Sequence, residues 1–98
     1  MKNQKNQNKE QATQSAVAFT DNGWEDYQSM LKDVPKLVPK INELIDACIA
    51  DPFKGIGKPE PLKGNLTGLW SRRIDREHRL VYAVQDDTIH VVACRYHY

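Results

Sequence analysis

The last third of the chain holds three strand-forming runs with almost nothing between them. They are "LWSRRI" (69–74), "RLVYAV" (79–84) and "TIHVVACRYHY" (88–98), joined by "DREH" and "QDD". A parallel crossover needs a dozen or more residues, so connections this short force neighbouring strands to run antiparallel. An antiparallel meander is therefore the frame that every other element has to fit.

The preceding segments supply its cover. Val34, Leu37, Val38, Ile41, Leu44, Ile45 and Cys48 recur at intervals of three and four, the spacing of one helix face. Pro35 suits the first position of that helix. Pro39 predicts either a kink or the start of regular geometry, because an interior proline removes a hydrogen bond and clashes with the turn before it. Upstream, Trp24, Tyr27 and Leu31 predict a helix over about 22–32, capped by Asp21 or Asn22. "AVAFT" (16–20) reads as a short strand that joins the sheet at an edge the pattern leaves open. The order strand, two helices, loop, three strands predicts an α+β fold, with the two helices packed on one face of an antiparallel sheet.

At 98 residues the chain makes one domain with a small core. Residues 1–15 are Lys-, Asn- and Gln-rich and nearly free of apolar side chains, so they read as a disordered tail, leaving 16–98 as the folded domain. The segment 50–68 carries four glycines and three prolines, a loop of a length that is usually functional or disordered.

Composition excludes more than it assigns. A net charge of +1 points to no partner class, and no apolar run approaches a membrane span. The N-terminus lacks the apolar stretch of a signal peptide. Cys48 and Cys94 have no metal-site spacing and read as buried thiols in a reducing compartment, which gives a cytoplasmic expectation.

Chemistry concentrates in the second half. Lys58, Lys63, Arg72, Arg73, Arg76, Arg79 and Arg95 gather there with His78, His90 and His97. Strict alternation puts Leu80, Tyr82 and Val84 on one face of their strand. It splits the last strand into Ile89, Val91, Ala93, Arg95, His97 and the set His90, Val92, Cys94, Tyr96, Tyr98. Antiparallel pairing brings position 79 beside positions 94–97, near the loop that carries Glu60. A carboxylate, an arginine and a histidine can cleave RNA without a metal: a base for the 2′-hydroxyl, a cation for the phosphate and an acid for the leaving 5′-oxygen. Arg72 and Arg73 point to opposite faces, and Arg73 is the one expected to line the cleft. His78 and His90 read as structural, Trp24 and Trp70 as core or interface aromatics, and Tyr82 and Tyr96 as packing residues.

"INELI", "GKPEPL", "WSRRI", "EHRLVYAV" and "ACRYHY", in this order and spacing, resemble the YoeB toxins of the RelE/ParE toxin–antitoxin superfamily from about residue 16 to the C-terminus. The resemblance implies a RelE-like, microbial-ribonuclease-like fold and a toxin that cleaves mRNA in the ribosomal A site without a metal or other cofactor. It implies Glu60 as general base, Arg79 as phosphate ligand, His97 as general acid and Tyr98 as a positioning residue. Lys58, Lys63, Arg72 and Arg73 would be the RNA-binding residues. Implied partners are a YefM-like antitoxin, the ribosome with its mRNA, operator DNA only as the toxin–antitoxin complex, and a second copy in a homodimer; no membrane is implied. Two alternatives are a non-enzymatic toxin of the same superfamily and an antitoxin-dependent DNA-binding co-repressor. Pro39 and the Lys54 and Ile56 loop positions depart from the family pattern.

Overall fold

The computed structural model describes residues 16–96. The expected tail (1–15), His97 and Tyr98 lie outside the described residues. A strand β1 (Val17–Phe19) leads into helix α1 (Asp21–Asp33), a 3-10 turn (Pro35–Leu37) and helix α2 (Val38–Ala50). Then come β2 (Glu60–Pro61), a second 3-10 turn (Gly64–Leu66), β3 (Trp70–Arg73), β4 (Arg79–Gln85) and β5 (Thr88–Ala93).

The sheet has five strands in the order β1-β5-β4-β3-β2. The expected meander forms its antiparallel body, and β1 joins the far edge parallel to β5, with Val17 opposite Ile89. The β4–β5 connection is a two-residue hairpin, Asp86–Asp87, with both residues at positive φ (54° and 62°).

Both helices bury their apolar stripes against the same face of the sheet. Met30, Ile41 and Leu44 are fully buried in one cluster with Leu80, Tyr82 and Val91. The cap of α1 is Thr20, not Asp21 or Asn22: its side chain accepts the Gly23 N–H (3.0 Å) from an extended residue just before the helix. Asn22 instead reaches the Val92 carbonyl (2.8 Å). Gly23 seats the helix on β5, where a Cβ would overlap the Val91 carbonyl oxygen. Pro39 falls at the second position of α2, so regular geometry starts there. N–H groups of a first turn have no partner within the helix, and the proline removes no bond.

The expected alternation fails at one place. Tyr82 pairs with Val91 but Val81 pairs with Ala93, so Val92 is an extra residue, a β-bulge. The bulge reverses the phase of the residues after it. Cys94 falls in the core cluster with Val91, whereas Ala93 pairs with Val81, which lies on the opposite face from Tyr82.

Candidate active site

The face of the sheet turned away from the helices carries the polar groups. Glu60 pairs with Ser71, Ser71 with Val81 and Val81 with Ala93, so one row of residues crosses four strands. The next row opposes Arg73 to Arg79. Because β2 is only two residues long, it brings Glu60 to the sheet without covering that face.

Arg79 is the hub. Its Nη1 donates to Glu60 Oε1 (2.8 Å) and to Ser71 Oγ (3.2 Å). Its backbone N–H donates to the Tyr96 carbonyl (2.8 Å). Position 79 and the end of the last strand therefore lie side by side, as antiparallel pairing requires. The Glu60 side chain is about half exposed (57%) and that of Arg79 a quarter (25%). An ion pair in that setting contributes little net stability, at most about 1 kcal/mol, so exchanging its partners costs little.

Three successive residues after β5 are anchored. The Cys94 N–H donates to Asp26 Oδ2 (3.0 Å). The Arg95 guanidinium donates to Ser29 and Asp33 of α1 (both 2.8 Å), which commits it to the scaffold. The Tyr96 N–H donates to His78 Nδ1 (2.7 Å), and the two rings lie 5.3 Å apart. Tyr96 holds a positive φ of 62°, an uncommon conformation for a residue with a Cβ that its neighbours must enforce. The residue is 58% exposed, so it does not pack as expected. His78 is buried, and its own N–H is fixed by Asp75 Oδ1 (2.7 Å). It is structural, as read from the sequence, and what it supports is the segment leading to His97.

Arg73 is exposed opposite Arg79, and Lys58 and Lys63 are exposed on the loop flanking Glu60. Arg72 corrects the sequence reading: it is completely buried and unavailable to RNA. Its Nε donates to the Tyr82 hydroxyl (3.2 Å), its Nη1 to the Ile56 carbonyl (3.0 Å) and its Nη2 to the Lys54 (3.0 Å) and Asp51 carbonyls. The cause is strand parity, which turns it toward α2 and the 51–57 loop. Tyr82 packs as expected, and burial pushes its hydroxyl up to about 12 while Arg72 works against that rise.

Sequence reasoning missed Ser71, whose one signal was its alternation with Arg73, and it left Arg76 without a role. The 74–78 turn is built by Asp75, which accepts the Glu77 and His78 N–H groups (2.9 and 2.7 Å). It leaves an open cleft of about 320 Å³ lined by Arg73, Asp75, Arg76 and Arg79.

Two helices on one face of the sheet and an acid–arginine pair on the other make an α+β domain whose open face gathers the polar groups. The family described as "YoeB-like toxin of bacterial type II toxin-antitoxin system" matches residues 19–98, and the chain belongs to it. It is 55% identical to Toxin YoeB of Streptomyces coelicolor over 84% of this chain and 98% of that one. Among solved structures, a YoeB/ParE toxin from Agrobacterium tumefaciens superposes with a TM-score of 0.80 at 45% identity, covering 84% of this chain and 98% of the other. A YoeB–YefM complex from Staphylococcus aureus superposes with a TM-score of 0.77 at 48% identity, covering 84% and 95%.

Proposed function

We propose that the chain is an endoribonuclease toxin that cleaves mRNA on the ribosome by attack of the 2′-hydroxyl on its own phosphodiester. The Glu60–Arg79 pair on the open sheet face carries this reading. When a phosphate binds, Arg79 exchanges Glu60 for a phosphate oxygen, and the freed carboxylate takes the 2′-hydroxyl proton. The oxygen attacks phosphorus, and negative charge grows on the equatorial oxygens facing the guanidinium. His97 donates its proton to the departing 5′-oxygen, leaving a 2′,3′-cyclic phosphate or, after hydrolysis, a 3′-phosphate. Tyr98 positions the substrate, and Lys58, Lys63 and Arg73 hold flanking phosphates. No metal takes part in these steps.

The staphylococcal relative was solved with YefM, and by similarity a YefM-like antitoxin is the regulatory partner of this chain in the cytoplasm. Homodimer formation and operator binding by the toxin–antitoxin complex belong to the same reading. The test is a reconstituted translation reaction with primer extension and end-group analysis of the fragments. The wild type should give discrete cuts with cyclic or 3′-phosphate ends, and Glu60→Gln should lose them by about a hundredfold or more, the scale of a lost general base. Uncut message with folded wild-type protein refutes the enzyme.

A further inference from the structure

We infer that Arg76, together with Arg73, forms a second phosphate subsite that holds the RNA phosphate next to the scissile one. The inference rests on the nuclease reading, which places the scissile phosphate at Arg79.

The cleft concentrates positive charge at a cost. Arg73 and Arg79 stand directly opposite each other across the β3–β4 ladder, and like charges in that arrangement destabilise a sheet. The turn then adds a third guanidinium, Arg76, to the same open cleft of about 320 Å³. The lining holds one acidic residue, Asp75, so three guanidinium groups face a single carboxylate there. Its Oδ1 accepts the N–H groups of Glu77 (2.9 Å) and His78 (2.7 Å), which is what makes the turn.

Arg79 is turned toward Glu60 and Ser71. Arg73 and Arg76 are exposed and, among the described residues, have no ion-pair or hydrogen-bonding side-chain partner. Folding gains nothing from gathering these cations, whereas a polyanion relieves their repulsion. A single phosphate at Arg79 uses one of the three; the next phosphate along the same strand uses the other two. The ligand is therefore the phosphodiester backbone of single-stranded substrate RNA, read without regard to base.

The test is anisotropy of a fluorescein-labelled single-stranded RNA, titrated with wild type, Arg76→Ala and, as a remote control, Lys36→Ala. Each phosphate contact on a single strand contributes about 0.7 to the salt slope. Arg76→Ala should lower the slope by about that amount. Its affinity should then drop about 2.5-fold less than that of wild type between about 50 and about 200 mM salt. Lys36→Ala should match wild type. A series of RNAs with one neutral methylphosphonate linkage locates the partner: one position should weaken wild-type binding and leave Arg76→Ala unaffected.

An unchanged slope, or additive losses at every linkage, overturns the subsite, and so does absence of salt-dependent binding by the wild type. A normal wild-type slope with no cleavage on ribosomes overturns the nuclease reading alone.

Discussion

Replacing Arg72 with methionine separates a structural arginine from an RNA-binding one. The side chain keeps most of its length and loses every donor. Four hydrogen bonds disappear: to the Tyr82 hydroxyl and to the carbonyls of Asp51, Lys54 and Ile56. Bonds from a charged donor contribute about 1.5–3 kcal/mol each, a gross loss of about 6–12 kcal/mol. Much of it is returned. The guanidinium no longer has to be desolvated, Asp51, Lys54 and Ile56 are exposed residues whose carbonyls can recover water, and Tyr82 keeps its bond to the Pro52 carbonyl (2.6 Å). The expected net cost is about 2–4 kcal/mol, a large part of a margin of about 5–15 kcal/mol. Urea unfolding followed by circular dichroism should show a lower midpoint at unchanged slope, with faster proteolysis in 51–57. Arg72→Lys should fail too, since one ammonium cannot span three carbonyls and a hydroxyl. If both variants stay within about 0.5 kcal/mol of wild type while RNA affinity falls, Arg72 is a phosphate ligand and the burial argument is wrong.

Two further outcomes concern the residues that follow β5. His78→Leu removes the acceptor of the Tyr96 N–H, whereas His78→Asn keeps an oxygen near the place of Nδ1. The Tyr96 amide should exchange roughly fivefold faster or more in the leucine variant, as befits a bond of about 1 kcal/mol, with rescue by asparagine; equal exchange in both would refute the anchor. Stability should also fall at alkaline pH. Burial, with the Asp26 carboxylate adding to it, pushes the Cys94 thiol from 9.0 up to about 12, so from about pH 9 the unfolded chain releases a proton that the folded chain holds. Each pH unit in that window then shifts the equilibrium about tenfold toward unfolding. Cys94→Ala should flatten the slope of urea stability against pH, and an unchanged slope above pH 9 would refute the assignment to this thiol.

The helices and the meander were legible because each is written in a local period: three-and-four spacing from Val34 to Cys48, and apolar runs split by turns too short for a crossover. Position 79 and the end of the last strand were legible as neighbours for the same reason, since antiparallel pairing follows from turn length, whereas Glu60 sits in a segment that reads as loop and only the family resemblance singled it out. What the sequence concealed depends on contacts distant along the chain. The bulge at Val92 is stabilised by Asn22, seventy residues upstream, whose amide takes up the bulge carbonyl. Alternation counted past that point gives the wrong face for Cys94. Arg72 looks like Arg73 to any rule of composition, and its burial depends on three carbonyls of a Gly- and Pro-rich loop that has no apolar periodicity. Thr20, Asp21 and Asn22 are all cap-forming residue types, and the choice of Thr20 is made by where the chain leaves β1.

The position of Arg79 shows how the sheet would hold the proposed site. It is the first residue of β4, so its backbone is fixed by the ladder while its side chain stays free to reach across β3 to Glu60. Its N–H groups then do two separate jobs. The guanidinium pairs with the carboxylate that would act as base, and the main-chain N–H holds the carbonyl of Tyr96, the residue before His97. His78, one residue earlier, holds the N–H of the same Tyr96. Acid and base would thus be referenced to one dipeptide, His78–Arg79, at the start of one strand. That dipeptide is set in turn by Asp75, whose carboxylate closes the turn ahead of it. No long-range rigidity is needed: each link is a single hydrogen bond between residues that the meander already places together. The arrangement also keeps the two contributions experimentally distinct. A substitution of the Arg79 side chain leaves the main-chain tie to Tyr96 in place, and a substitution of His78 leaves the guanidinium on Glu60.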